Sequence, residues 1–313
     1  MIHVAMFFAK RLSRFAPVKK IKRQRIRRDE LLQLTPMVNQ LLASVDIAEH
    51  ADPAFSTDLA FKLYRRTRVD VQRLKTSDTT NYARRAFDRF INDIRSGCDT
   101  LSGPEARHIL AIANDFIGDT SPVGHDTLDV GSHFRMSSSL AAKGRMLYTA
   151  ARCLRAGRLL EIGTAYGMSA QFLLLAAMRY TEHSHLTTVE LGQPQFTLAK
   201  QSLERSFAQR VECWHGESST VLSALVAEEK YAPFDLVFYD GAHDGATYRA
   251  DFERLKPLLR SGSVVIIDDI RWFDPRFVSE DPDCYSGWRA IVDDEWVIDA
   301  VELDERIGVA LIG

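Results

Sequence analysis

Three aspartates and a histidine stand just beyond apolar runs. Asp240 closes FDLVFYD, Asp268 and Asp269 follow SVVII, and His243 comes three residues after Asp240 in DGAHD. If the two runs are neighbouring strands, their ends bring the three carboxylates together. Carboxylates gathered in one place are costly unless one is protonated or a cation joins them. Hard oxygen donors suit Mg²⁺, which keeps several waters and can accept a substrate oxygen. The chemistry open to such a set is activation of a hydroxyl. A cation stabilises the oxyanion and a nearby base takes the proton. His243 suits the role of base because an imidazole is partly neutral near pH 7; Asp244 is its rival. The alternative is that Asp240 alone serves a ligand while the other carboxylates cap the next helix.

A second stretch, LLEIGTAYGMSA over residues 159–170, reads as a strand, a turn and a helix. Gly163 and Gly167 let the backbone turn sharply and let a ligand approach without a Cβ in the way. The helix that follows points free N–H groups at the turn. A pyrophosphate fingerprint would need a glycine where Ala165 stands, so a smaller ligand is expected, with Glu161 meeting a positively charged group. Glu190, at the end of LTTVE, is placed to accept both hydroxyls of a ribose. Ser218, after HGE, is placed to bracket a flat base. Turn, ribose carboxylate and base bracket, in that order, make an adenosine site.

These residues need a scaffold that aligns strand ends. Strand-like runs at 158–162, 186–190, 211–214, 234–239, 263–267, 296–303 and 307–312 alternate with helical segments up to the fifth. Apolar strands separated by helices imply a doubly wound, mostly parallel α/β sheet, here of seven strands. The short turn at 304–306 can join only antiparallel strands, so the last strand is expected to run antiparallel. Before this region, residues 29–118 read as helices. Phe87, Phe90, Ile91 and Ile94 share one helical face, and SGPE at 102–105 has capping-box spacing. Residues 119–135 are rich in turn formers and read as a linker. Three regions are therefore expected: a basic arm (1–28), a helical N-terminal region with its linker (29–135), and a Rossmann-like domain (136–313).

In this order and spacing the motifs resemble the class I S-adenosylmethionine-dependent methyltransferases. Within them the chain is similar to small-molecule O-methyltransferases of the catechol or macrocin type, over residues 137–313. The matching segments are AKG at 142–144, LLEIGTAYGMSA, and the run from FDLVFYDGAHD to SVVIIDDI. The resemblance implies S-adenosylmethionine as cofactor, with Ala165 and Ser169 at contacting positions and Asp240 beside it. It implies Mg²⁺ on Asp240, Asp268 and Asp269. The catechol type has Asn in the third place, and Asp269 looks like the macrocin type. His243 stands where the catechol enzymes carry a lysine base. The macrocin-type base resembles position 242, which here is Ala242, so that assignment fails. The implied reaction is methyl transfer to a hydroxyl oxygen of a small molecule. Other readings are a metal-independent N- or O-methyltransferase and a non-catalytic binding module, which would be expected to lose the aspartates. Trp272, Phe273, Phe277, Tyr285 and Trp288 are candidates for an acceptor pocket or for core.

Composition bounds the rest. Hydrophobic residues make up 46 %, enough for a sizeable core, and no apolar run nears the roughly 18 residues of a membrane span. Cys98, Cys153, Cys213 and Cys284 form no CxxC pair and read as reduced thiols of a cytoplasmic protein. The net charge of −2 hides an asymmetry. Residues 1–28 hold ten Lys or Arg and no acid, leaving −12 on the remainder. The arm reads as a solvated tail, a peripheral anchor on anionic lipid, or a targeting or nucleic-acid arm. The acidic body argues against a nucleic-acid enzyme. A second copy of the chain, meeting it through the N-terminal helices, is the remaining partner expected.

Overall fold

The computed structural model describes residues 28–45, 52–64, 68–77, 81–98, 101–123, 128–137, 141–228, 231, 233–271 and 284–313. The basic arm up to residue 27, and Trp272, Phe273 and Phe277, lie outside the described residues. The chain forms two units, 1–37 and 38–313. Residues 28–37 open helix α1 (Arg28–Ala43); the elements below belong to the second unit.

The N-terminal part contributes α2 (Pro53–Tyr64), β1 (Val71–Lys75), α3 (Tyr82–Ser96), α4 (Gly103–Ile117), α5 (Val130–Ser137) and α6 (Ala142–Leu154). The expected helical signals are present. Phe87, Phe90, Ile91 and Ile94 are buried along α3. The capping box of α4 forms, with the Ser102 N–H donating to Glu105 Oε2 at 2.7 Å. Strands and helices then alternate: β2 (Arg158–Ile162), α7 (Met168–Ala177), β3 (His185–Glu190), α8 (Gln193–Phe207), β4 (Val211–His215), α9 (Ser218–Ala227), β5 (Leu236–Tyr239), α10 (Gly245–Leu255) and β6 (Val264–Ile267). Helix α11 (Cys284–Asp293) and strands β7 (Val297–Leu303) and β8 (Ile307–Ile312) complete the chain.

The sheet has eight strands in the order β1-β7-β8-β6-β5-β2-β3-β4, one more than the expected seven. The extra strand is β1, which pairs antiparallel with β7 at the edge. Its sequence, VQRLK, has only two apolar residues and half-exposed positions, so periodicity does not mark it. Strands β2 to β6 are parallel. The last strand is antiparallel as expected. It lies not at the edge but between β6 and β7, antiparallel to both.

Two layers cover the sheet. On one face Val221, Leu222, Phe252, Trp288 and Ile291, from α9, α10 and α11, pack on Leu160, Val237, Val265 and Ala310. On the other side α6 and α7 pack together, and α3 packs on α6 as α4 does on α7. Gly144 makes the α6–α7 approach possible, because a Cβ there would lie 2.3 Å from the Phe172 ring. Burial of these apolar faces supplies the driving force. The order reverses at β2, whose neighbours are β3 on one side and β5 on the other. Open α/β sheets bind ligands at that switch point, beyond the carboxyl ends of the strands.

Candidate active site

A cavity of about 1340 Å³ opens at this switch point. Its floor is the β2–α7 turn. Gly163 has φ +92°, and a Cβ there would lie 2.1 Å from the Asp240 carbonyl oxygen. Only glycine permits the turn to lie so close to the end of β5. Ala165 also has a positive φ, +46°, and lines the cavity. Gly167 has φ +80° and packs toward Leu203 as α7 begins.

Glu190 lines the cavity and braces the turn. Its Oε2 accepts the Ala165 N–H at 2.7 Å, and its Oε1 accepts the Gly192 N–H at 2.7 Å. Each carboxylate oxygen has a further lone pair for a ligand hydroxyl. Ser218, also at the wall, donates to Asp251, which accepts the Tyr239 hydroxyl at 2.8 Å as well. Glu161 and Ser169 sit beneath the turn instead of on the cavity wall. Glu161 is fully buried and accepts the Thr188 hydroxyl at 2.7 Å. Burial pushes its carboxyl up to about 7, against the hydrogen bonds from Ser169 and Thr188. Glu161 supports the turn from below, and it does not reach the cavity to meet a charged ligand.

An acidic cluster lines the same cavity. Asp240, His243 and Asp269 offer ligand atoms that all lie within 4.8 Å of one another. His243 Nε2 is 3.4 Å from Asp269 Oδ2 and 3.7 Å from Asp240 Oδ1. Burial alone would lower its pKa, but the two carboxylates override that and push it up to about 9. Asp269 has φ +52°, a strained conformation for a residue with a side chain. Asp268 is fully buried, and its carboxylate turns to Lys143 and Arg306. Burial raises its pKa, and Asp240 adds to the rise.

The cations of this cluster were not legible as such in the sequence. Lys143 Nζ is 2.7 Å from Asp240 Oδ2 and also contacts Asp268 Oδ2. Arg306 Nε is 2.6 Å from Asp269 Oδ1 and 3.5 Å from Asp268 Oδ1. The AKG motif contains Lys143, but nothing in its spacing says which acids it meets. Arg306 arrives because β8 runs antiparallel beside β6, so the turn before β8 falls next to the end of β6. The expectation of uncompensated carboxylates is therefore corrected: protein cations already sit against all three.

Helix α5, which straddles the expected domain start at residue 136, adds two further lining residues, His133 and Ser137. His133 Nδ1 lies 3.0 Å from the Tyr166 hydroxyl, which ties α5 to the turn. Of the aromatic candidates, Trp288 is wholly buried and its indole N–H donates to Glu302 at 3.2 Å, so it is core. Tyr285 stacks under the Arg271 guanidinium, 3.9 Å from the ring centroid.

A glycine turn, a carboxylate that braces it and an acidic cluster gather around one switch-point cavity, and the chain is similar to small-molecule O-methyltransferases. Residues 160–270 match the family described as a methyltransferase domain. Among curated relatives, a catechol O-methyltransferase of Mycobacterium tuberculosis is 31 % identical over 131 residues, 42 % of this chain and 56 % of the relative. A catechol O-methyltransferase of Niastella koreensis is 27 % identical, covering 41 % and 56 %. A caffeoyl-CoA O-methyltransferase of Populus kitakamiensis is 23 % identical, covering 42 % and 54 %. The chain spans about half the length of the curated relatives it matches. Among solved structures, an SAH-bound methyltransferase of Podospora anserina aligns with TM-score 0.51 at 13 % identity, over 76 % of this chain and 99 % of that one. An O-methyltransferase of Bacillus cereus in complex with SAH aligns with TM-score 0.50 at 21 % identity, over 72 % and 97 %. These two likenesses establish the fold. Among the described residues no helix is long and apolar enough to cross a membrane.

Proposed function

We propose that the protein transfers a methyl group from S-adenosylmethionine to a hydroxyl oxygen of a small molecule, with a divalent cation assisting. The observation that carries this is the convergence of Asp240, His243 and Asp269 on the wall of the cavity floored by the glycine turn. The cofactor suits the residues present. Gly163 leaves the turn's backbone open to close approach, Glu190 keeps lone pairs for ribose hydroxyls, and Ser218 stands at the wall where a base would lie. Magnesium would suit the two carboxylates, Asp240 and Asp269, which offer hard oxygen ligands at short mutual range with the His243 imidazole beside them. When bound, such a cation lowers the pKa of an acceptor hydroxyl and stabilises the oxyanion.

The chain's own residues do the remainder. The turn and Glu190 hold the donor so that an acceptor oxygen can stand in line with its methyl group. Positioning of this kind supplies roughly 7–11 kcal/mol of a bimolecular barrier. His243 takes the acceptor proton once its own has been released, a condition set by the charge on Asp240 and Asp269. We assign the catalytic machinery to residues 136–313. The 29–135 region contributes His133 of α5 to the acceptor side, beside Ser137 at the end of the same helix.

The test has two parts. Calorimetry should show S-adenosylmethionine binding, and methyl transfer to a panel of catechols and other phenols should stop on exhaustive chelation and return with Mg²⁺. Binding without transfer to any acceptor would favour a non-catalytic binding module. Transfer indifferent to the chelator would place the protein with the metal-independent methyltransferases.

A further inference from the structure

Lys143 occupies a position that the proposed reaction does not explain. It projects from α6, and only 15 % of its side chain is exposed. Its ammonium touches Asp240 and Asp268 together and lies 5.7 Å from the centre of the Phe238 ring. Asp268 is 0 % exposed, so without this contact a buried carboxylate would keep, among the described residues, the more distant Arg306 as its cation. Breaking a buried pair leaves an uncompensated charge, which is far more costly than never having buried it. Asp240 is different in kind. It faces both ways, with Oδ2 on Lys143 and Oδ1 toward His243 and the candidate cation position. One carboxylate thus serves a resident protein cation and the place where a divalent ion would bind.

We infer that Lys143 is the resident cation of this cluster and competes with the divalent ion for Asp240. The inference rests on the metal reading above. Lys143, Arg306 and His243 already supply cationic or cation-capable groups to the three carboxylates. A divalent ion entering beside them meets like charge at short range, and that repulsion is strong where water is scarce. The ammonium therefore weakens divalent binding, and a tight site appears only when it withdraws from Asp240. The same contact keeps the cluster folded before any ion arrives. Gly144 packs α6 closely on Phe172 of α7, so the withdrawal is a side-chain movement and not a movement of the helix.

The experiment measures Mn²⁺ affinity by calorimetry and by its electron paramagnetic resonance signal, on full-length protein without cofactor or acceptor. Lys143→Met keeps the stem and removes the charge, Lys143→Arg keeps the charge, and Arg306→Met is the comparison. Lys143→Met should bind Mn²⁺ tighter than wild type by on the order of 10–100-fold, the scale on which neighbours of metal ligands tune affinity. Lys143→Arg should stay near wild type. In EDTA, Lys143→Met should melt lower than wild type, and Mn²⁺ should raise its melting temperature more than it raises that of wild type. If Lys143→Met does not fold without metal, Lys143→Gln, which retains a hydrogen-bond donor, takes its place. Equal affinity in wild type and the uncharged variants would overturn the inference while leaving the metal reading intact. Binding by the uncharged variants alone would uphold the inference and remove metal from the wild-type reaction. No binding by any of them would overturn both.

Discussion

Arg306 Nε stands 2.6 Å from Asp269 Oδ1 and so fastens the β7–β8 turn to the end of β6. The turn itself has positive φ at Asp304 and Glu305, +51° and +58°, the signature of a tight hairpin between twisted strands. A hairpin chosen by local geometry thereby delivers a guanidinium to a carboxylate in a strained conformation. Arg306 and His243 hold the Asp269 carboxyl below its ordinary value, although burial alone would raise it.

Removing this tether should separate stability from chemistry. The Arg306 side chain is 56 % exposed and its partner Asp269 14 % exposed, so solvent screens the pair from the arginine side and its worth stays near about 1 kcal/mol. Arg306→Ala should therefore lower the melting temperature by about 4 °C. Turnover should fall by about tenfold or more, because Asp269 loses the partner that orients it. An unchanged rate would show that the tether plays no part in catalysis.

Glu190 should matter twice, to the ligand and to the turn. Glu190→Ala removes hydrogen bonds to a charged group, each worth about 1.5–3 kcal/mol, and also frees the Ala165 and Gly192 N–H groups. Affinity for S-adenosylmethionine, read by calorimetry, should drop by at least that amount. Glu190→Gln retains one acceptor and should fall between the two. Wild-type affinity in both variants would remove Glu190 from the cofactor site.

Gly163→Ala tests the turn through folding. The φ of +92° carries a strain of about 1–3 kcal/mol for any residue with a Cβ. The clash with the Asp240 carbonyl adds an overpacking cost of about 1–3 kcal/mol. Urea denaturation should show a loss of several kcal/mol. A loss below about 1 kcal/mol would mean that the backbone shifts freely and that the close approach is dispensable.

His243 makes the chelated protein sensitive to pH. Its folded pKa, about 9, exceeds the ordinary 6.5 of an unfolded chain. The stability this confers is complete below about pH 6.5 and is lost as pH rises through about 9. The melting temperature of chelated wild type should decline across that window, and the decline should be shallower in His243→Gln. Imidazole titration followed by NMR should place the midpoint near 9 and move it downward in Asp269→Asn. Parallel melting curves for wild type and His243→Gln would show that the imidazole is not held charged.

The four cysteines should be inert in the native protein. Cys98, Cys153 and Cys284 are buried, and burial pushes the half-buried Cys213 thiol up to about 12. The thiolate is the reactive form, so a disulfide reagent should label none of them rapidly before unfolding. A fast-reacting thiol at pH 7.5 would contradict this burial.

The sequence by itself determined the parts of this protein whose signals are local. The runs that became β5 and β6 are apolar, and that of β2 largely so, because both faces of a parallel sheet are covered, and such runs stand out without knowledge of their neighbours. The turn at Gly163 and Gly167 was legible because a positive φ restricts residue type at the position itself. Tertiary structure alone decided pairings between distant residues. Strand β1 is an edge strand with one neighbour, so little of its composition is constrained by burial. Whether Glu161 would face the cavity or lie beneath the turn depended on how Thr188 and Ser169 close over it. Lys143 and Arg306 lie 97 and 38 positions from the aspartates they meet at 240 and 268, respectively. Charge acts through space and carries no sequence period, so only the strand order could show which cation would neutralise which carboxylate.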